Sequence, residues 1–167
     1  MPDLLERLRQ LRSILNKALA YAGGAALLFM VALSCTNILL RSVWLPVTGT
    51  FELMGFLGAV VAAFALGYTQ LTKGHIAVTF LEGKLPRAVE RACDVLANLI
   101  GLCFFVLAAL EVAKLGRFLV LRGEFSETLA VPYYPVVFAV ALACLIMALT
   151  MLVDLLASLV PAGRKGR

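Results

Sequence analysis

The sequence contains few charged residues, and this scarcity decides its class. Of 167 residues, 15% are charged and 62% are apolar, and the mean hydropathy is +0.98. Soluble domains carry about 25% charged residues, and a chain this short cannot bury so much apolar surface in a core of its own. The sequence therefore predicts a membrane protein.

Histidine is also scarce, and the cysteines are not paired in sequence. His75 is the only histidine, and the cysteines Cys35, Cys93, Cys103 and Cys144 form no Cys-x-x-Cys pair. A four-helix diheme cytochrome needs paired axial histidines, a membrane thiol oxidoreductase needs paired accessible cysteines, and a metal site needs clustered ligands. We therefore predict no enzyme activity, no cofactor and no metal. A membrane redox or proton-handling protein that uses His75 and the cysteines remains an alternative of a different class.

The sequence contains four long runs without charged residues, at 18–40, 53–72, 95–110 and 128–153. Each can form the centre of a membrane span, because about 20 helical residues cross the hydrocarbon core. Helices are expected because they satisfy their own backbone hydrogen bonds in lipid. We predict an all-α integral membrane protein with a four-helix membrane domain over 18–160 and spans near 18–40, 52–72, 92–114 and 133–158.

The first seventeen residues predict an amphipathic helix at the membrane interface. Leu4, Leu8, Leu11 and Leu15 recur at helical spacing, with basic residues between them. The basic side of such a helix faces phospholipid headgroups. A cleavable signal peptide is the alternative, but the uncharged run at 18–40 exceeds the roughly 7–15 residues of a signal h-region.

The distribution of basic residues predicts the orientation. Eleven lie in residues 1–17, in the second loop at 73–91 and in the tail at 161–167, against four in the first and third loops. Because cytoplasmic loops are enriched in lysine and arginine, we expect both termini and the second loop in the cytoplasm. This topology accounts for the net charge of +5, and we expect no nucleic-acid partner.

The second span carries a small residue at every fourth position: Gly55, Ala59, Ala63 and Gly67. On a helix these positions form one narrow ridge, because residues four apart nearly superimpose. Small residues let another helix approach closely in lipid. The pattern predicts a partner-packing ridge.

Polar residues mark the ends of the first two spans. Asn37 and Arg41 lie one turn apart at the predicted outer end of the first span, and Glu52 opens the second. Arg41 and Glu52 are placed to form an ion pair, or they only mark the bilayer edge by snorkelling. Gly74 and His75 follow the second span, where the imidazole serves as a hydrogen-bonding brace, a headgroup contact or a proton relay.

A charged stripe follows the third uncharged run. Glu111, Lys114 and Arg117 recur at steps of three residues, and Glu124 and Glu127 follow in the third loop. Two interpretations stay open: a solvated continuation of the helix beyond the hydrocarbon, or a periplasmic docking surface.

Together these residues resemble the small four-helix membrane subunit (Q subunit) of tripartite ATP-independent periplasmic (TRAP) transporters. The resemblance lies in Asn37 to Arg41, Glu52, Gly58-Ala59, Gly67, Gly74-His75-Ile76-Ala77-Val78, Pro132 and Pro135. Two positions differ from the family pattern: Phe51 and Thr79 stand where acidic residues are common.

The resemblance implies an accessory scaffold subunit of a sodium-coupled, binding-protein-dependent transporter for organic anions such as carboxylates. Its partners would be the large membrane subunit and the periplasmic substrate-binding protein, in the bacterial inner membrane. The chain itself has no broken helix pair or internal repeat of the kind a self-sufficient secondary transporter shows. The alternative is the small four-helix subunit of a tripartite tricarboxylate transporter, against which the Gly-His-Ile motif argues.

Overall fold

The structure, a computed structural model, describes residues 2–43, 45, 47–71 and 87–159. These residues form four α-helices: α1 (Pro2–Val43), α2 (Thr50–Leu71), α3 (Arg87–Arg122) and α4 (Tyr134–Leu159). Each helix is long and apolar enough to cross a membrane, and within the described ranges the only β-structure is an isolated bridge between Phe125 and Pro132. The predicted all-α fold with four membrane-spanning helices is confirmed.

Helix α1 is continuous, so the predicted interfacial segment 1–17 and the first span belong to one element. Its 42 residues extend roughly 63 Å at 1.5 Å per residue, about twice the thickness of the hydrocarbon core. No proline interrupts the chain between residues 3 and 43. Gly23 does not end the helix either, because it is buried against Phe64 of α2.

Helix α4 lies at the centre of the packing. It contacts α1, α2 and α3, and α1 and α2 also contact each other, whereas α3 contacts no helix except α4 within the described part of the chain. The buried side chains lie mainly on α4, and they include Ala143, Met147, Ala148, Thr150 and Val153. In the most apolar 18 residues of α4, 44% of the residues are buried. In the most apolar 18 residues of α3, only 6% are buried. Among the described residues, most of the surface of α3 is therefore open.

Helix α3 ends at Arg122, eight residues beyond the predicted end of the third span. Gly123 stops it by adopting a φ of 60°, in the left-handed region that glycine enters without a steric penalty. The N–H of Gly123 donates to the carbonyl of Val120 and that of Glu124 to the carbonyl of Leu119, both at 3.3 Å. These two bonds form a Schellman motif, which satisfies the last carbonyls of the helix.

Candidate functional site

The carboxylate of Glu52 joins α2 to the loop between α3 and α4. The hydroxyl of Ser126 donates to it, and the N–H groups of Thr128 and Leu129 donate at 3.1 and 3.3 Å. Ser126 is buried, and its own N–H donates to the carbonyl of Val131 at 2.9 Å. Hydrogen bonds to a carboxylate are strong because the acceptor is charged. We call Glu52, Ser126, Thr128 and Leu129 the Glu52 cluster.

The connection between α1 and α2 packs beside this cluster. The side-chain oxygen of Asn37 accepts a hydrogen bond from the N–H of Val47 at 2.9 Å, and the hydroxyl of Thr50 donates to the carbonyl of Val47 at 2.7 Å. Gly49 has a φ of 77°, and a Cβ built on it would overlap the side chain of Leu129. Both connecting loops at this end of the molecule are therefore held by specific contacts.

The structure assigns different roles to the polar residues predicted at the span ends. Arg41 is exposed, and in the described part of the chain it forms no ion pair with Glu52. The donors to Glu52 come instead from the third loop, because that loop folds directly over the start of α2. Asn37 holds the first connection. Gly74 and His75 lie outside the described residues.

A second polar cluster lies at the opposite end of α2 and α4. The guanidinium of Arg12 donates to one carboxylate oxygen of Asp154, and the side-chain amide of Gln70 donates to the other at 3.4 Å. The side chains of Arg12 and Asp154 are 17% and 27% exposed, so helices shield most of the ion pair. With Asn16 and Thr150, described next, these residues form the Asp154 cluster, which joins α1, α2 and α4.

Asn16 is the most deeply buried member of the Asp154 cluster. Its side-chain nitrogen donates to the carbonyl of Arg12 and to the hydroxyl of Thr150, both at 2.8 Å. Its side-chain oxygen has no hydrogen-bond partner, and a Cβ on Gly67 would overlap it. Glycine at position 67 therefore makes the room that Asn16 occupies between the helices.

The two clusters lie about one hydrocarbon thickness apart. At about 1.5 Å per residue, Glu52 and Gln70 are roughly 27 Å apart along α2, and Tyr134 and Asp154 roughly 30 Å apart along α4. A bilayer core is about 30 Å thick. The separation of the two clusters therefore matches the thickness of a bilayer core.

The sequence does not predict the Asp154 cluster. Arg12 is one of the basic residues between the leucines of segment 1–17, for which the amphipathic pattern predicts contact with headgroups. The spacing of the cluster's polar residues in the sequence is nevertheless informative. Arg12 and Asn16 are four residues apart, as are Thr150 and Asp154. Side chains at this spacing share a helix face, and the two pairs meet because α1 and α4 run antiparallel.

The small-residue ridge of α2 is divided between the inside of the chain and its surface. Ala63 and Gly67 are buried within the chain. Gly55 and Ala59 are exposed, and no heavy atom lies within 4 Å of a Cβ built on Gly55. The half of the ridge that a partner can reach is therefore the half next to Glu52.

The five charged residues predicted as a docking surface lie at different distances from the end of α3, three on the helix and two in the loop that follows it. The ammonium of Lys114 lies 2.7 Å from the carboxylate of Glu111, and both side chains are 68% exposed. Arg117 is exposed on the same helix, and Glu124 and Glu127 are exposed in the loop. Because a helix rises about 1.5 Å per residue, Glu111 lies roughly 16 Å along the axis from the end of α3.

The cysteines are scattered, with Cys144 buried and Cys35, Cys93 and Cys103 exposed, and all four are free thiols. In the described ranges, no three His, Cys, Asp or Glu side chains are grouped closely enough to hold a metal ion. The polar side chains of the two clusters in these ranges join helices and loops to one another.

Comparison with known families gives one match. Residues 30–160 match the family described as "Tripartite ATP-independent periplasmic transporters, DctQ component". The match begins in the second half of α1 and ends after α4, so it includes the whole Glu52 cluster and three members of the Asp154 cluster. No curated protein and no solved structure matches the chain.

Proposed function

The chain belongs to the DctQ component family of TRAP transporters, and from this membership we propose its specific role. It is the small accessory subunit of a sodium-coupled, binding-protein-dependent transporter for organic anions such as carboxylates, in the bacterial inner membrane. It packs against the large transport subunit and stabilises that subunit in the bilayer. The family match over 131 residues, counted from 30 to 160, is the observation that carries this proposal. It favours TRAP transporters over the tricarboxylate-transporter alternative, and the family is one of transporter components, not of enzymes.

A static supporting role agrees with how the helices are joined. The Glu52 cluster ties α2 to the third loop, and the Asp154 cluster ties α1 to α4 and α2. The Glu52 carboxylate accepts three hydrogen bonds, and networks whose members are paired rigidify a structure. A scaffold with both ends of its spans held in this way suits a subunit that stays fixed while its partner moves.

The exposed half of the ridge supports a packing surface for the large subunit. Gly58 and the exposed Ala62 lie on the same face of α2 as Gly55 and Ala59. No heavy atom lies within 4 Å of a Cβ built on Gly58. Such a surface lets a second helix approach closely, which is the main source of association between helices in lipid. Ala63 and Gly67 serve the packing of this chain itself.

The third loop supports a docking role toward the periplasmic binding protein. Glu124 and Glu127 are exposed on a loop that Glu52 holds in one conformation. Carboxylates on an ordered surface steer a partner that carries complementary basic residues. This role requires the loop to face the periplasm, with both termini in the cytoplasm, as the distribution of basic residues predicts. In that orientation the exposed Arg7 and Arg9 face the phospholipid headgroups of the inner leaflet.

The experiment is co-expression with the large subunit and the binding protein from the same operon. We expect this chain and the large subunit to purify together in a one-to-one ratio, and proteoliposomes to take up the organic anion only when both are present with the binding protein. Purification of this chain only as a homo-oligomer, together with full transport in its absence, would contradict the proposal. Omitting sodium from the outer buffer tests the coupling separately.

A further inference from the structure

One side of α3 carries exposed side chains at alternating spacings of three and four residues. They are Phe104, Leu107, Glu111, Lys114, Phe118 and Leu121, and we call them the α3 seam. The apolar members are 46–86% exposed, and the two charged side chains are 68% exposed. Alternation of three and four residues is the spacing at which one helix packs along another.

The chain's own helices leave this seam uncovered. α4 packs on the side of α3 that carries Gly101, Ala109 and Gly116, of which Ala109 and Gly116 are buried. Gly116 follows Leu107 by nine residues, which at about 100° per residue is half a turn around the helix. No other described helix contacts α3.

The contacts between α3 and α4 set the depth of the seam in the membrane. A Cβ on Gly116 would lie 3.0 Å from Cε1 of Phe138, and one on Gly101 would lie 3.2 Å from Cε of Met151. The two helices are therefore antiparallel neighbours, with Gly116 at the level of Phe138.

This level places the charged pair of the seam inside the hydrocarbon. Phe138 follows the start of α4 at Tyr134 by four residues, and α4 has no charged residue from Tyr134 to Val153. At about 1.5 Å per residue, Glu111 lies roughly 13 Å deeper than Tyr134, and Lys114 roughly 9 Å deeper. The Arg12–Asp154 pair at the other end is shielded by helices, whereas Glu111 and Lys114 are open to the surroundings.

Contact with lipid is unfavourable for Glu111 and Lys114. Charged side chains at membrane depth are costly and almost always face protein or a water-filled cavity. Side chains lean toward the N-terminus of their helix, which for Glu111 and Lys114 means away from the nearer membrane surface, so snorkelling does not bring them to it. Their mutual contact leaves two thirds of each side chain open. A partner that presents polar groups at this depth would satisfy both.

A second copy of the chain is a poor occupant of the seam. Two copies inserted in the same direction and related by an axis along the membrane normal place identical residues at identical depths. Glu111 would then face Glu111 of the second copy and Lys114 would face its counterpart, as in the pairing of equivalent positions in parallel helix dimers. Like charges in such contact are strongly unfavourable.

We propose that the α3 seam binds a membrane helix of the large transport subunit, and that polar side chains of that helix pair with Glu111 and Lys114 within the bilayer. The helix presents a cation or amide donor to Glu111 and a carboxylate or amide oxygen to Lys114, while the apolar members of the seam pack above and below. This rests on the proposed function, and it adds a surface distinct from the exposed ridge of α2.

Exchanging the two charges tests whether Glu111 and Lys114 pair with polar side chains of the partner helix. The double substitution Glu111→Lys with Lys114→Glu keeps an ion pair within α3 but reverses what the partner meets. We expect the amount of this chain in the membrane to stay at the wild-type level, while the complex with the large subunit falls roughly ten-fold or more. Asp94→Lys, at an exposed carboxylate near the start of the same helix, is the matched control and should leave recovery of this membrane complex unchanged.

Photo-crosslinking tests the location without changing either charge. Benzoylphenylalanine at Leu107 should give an adduct with the large subunit, and at the neighbouring Val106, which faces another direction at the same depth, a much weaker one. An adduct between two copies of the chain, equal adducts from both positions, or a charge exchange that leaves the complex intact would overturn the seam assignment. Failure of the wild-type chain to copurify with the large subunit would overturn the proposed function as well.

Discussion

Asn16 and Gly67 show what small residues do inside this membrane protein. Asn16 is fully buried, and its side-chain oxygen occupies the space that a side chain at position 67 would fill. A buried amide in hydrocarbon is tolerated when neighbours bind it, and the donor half of Asn16 has two partners. Gly67 thus lets α1 bring a polar side chain between α2 and α4.

Replacing Gly67 by alanine should destabilise the isolated chain. The new Cβ would overlap the Asn16 oxygen, and overpacking of this kind costs about 1–3 kcal/mol. Thermal unfolding in detergent should show a lower midpoint for Gly67→Ala. Gly58→Ala, in the same helix but with open space around it, should leave the midpoint unchanged or raise it, because alanine favours helix. Equal midpoints for both variants would contradict the fit described for Asn16.

The Arg12–Asp154 ion pair should contribute measurably to stability. Removing one partner leaves the other partly buried without a counter-charge, so Asp154→Ala should cost about 1–3 kcal/mol. Replacing both residues by alanine should recover part of that loss, because no unpaired charge remains. Equilibrium unfolding of Arg12→Ala, Asp154→Ala and the double alanine variant measures this coupling, and Arg9→Ala, at an exposed arginine, is the control. Strictly additive effects would rule out the pair as a stabilising unit.

At the scale of helices, α2 has two kinds of small-residue surface. The half with Ala63 and Gly67 packs within the chain, and the half with Gly55 and Ala59 is open. Because both halves satisfy the same four-residue spacing, the spacing alone cannot separate internal from external packing. Only the position of α1 and α4 along α2 separates them.

Leucine at the open half of α2 should weaken binding of the large subunit. Gly55→Leu or Ala59→Leu forces the two backbones apart, so the complex recovered by affinity purification should fall several-fold, by a mechanism like that of bulky residues at small-residue helix contacts. Gly24→Leu, at an exposed glycine of α1 with open space around it, is the matched control. Comparable losses from Gly24→Leu would remove the support for the ridge as a specific surface.

Glu52 should control the order of the third loop. Its carboxylate accepts the N–H groups of Thr128 and Leu129, so Glu52→Ala should speed amide hydrogen exchange at these two positions by roughly ten-fold or more. Glu127→Ala, at an exposed carboxylate of the same loop, should not. Unchanged protection of Thr128 and Leu129 in Glu52→Ala would mean that other contacts order the loop.

At the scale of the molecule, the helices do not form a closed bundle. α4 is covered on several sides, while α3 contacts only α4 among the described helices. In a bilayer this open apolar surface can contact lipid as well as another membrane protein. The two polar clusters nevertheless limit how the four helices can shift relative to one another.

The orientation of the molecule can be measured with single cysteines. In a background in which the four native cysteines are replaced by serine, a cysteine at position 127 should react with a membrane-impermeant maleimide in spheroplasts. A cysteine at position 9 should react only after the membrane is permeabilised, because the basic amino-terminal segment stays in the cytoplasm. The reverse pattern would contradict the proposed orientation and remove the third loop as a periplasmic docking surface.

The sequence by itself determined the class of the protein, its four helices and its family. Each of these depends on properties of single segments: charge is scarce, uncharged runs are long enough to cross a bilayer, and a backbone in lipid has little alternative to a helix. Charge or proline bounds the apolar runs from which α2 and α4 are predicted, and the structure has these helices at Thr50–Leu71 and Tyr134–Leu159. The charged stripe at 111–117 suggests a helix that continues past its apolar run, and α3 extends to Arg122.

Tertiary structure alone decided which polar residues meet and which surfaces stay open. Arg12 and Asp154 are 142 residues apart in the chain, and Glu52 takes its donors from a loop more than seventy residues away. Whether a small residue packs inward, as Gly67 does, or outward, as Gly55 does, depends on where the neighbouring helices lie along α2. The depth of Glu111 likewise follows from the register of α3 against α4. These are relations between distant segments, and helical periodicity describes only one segment at a time.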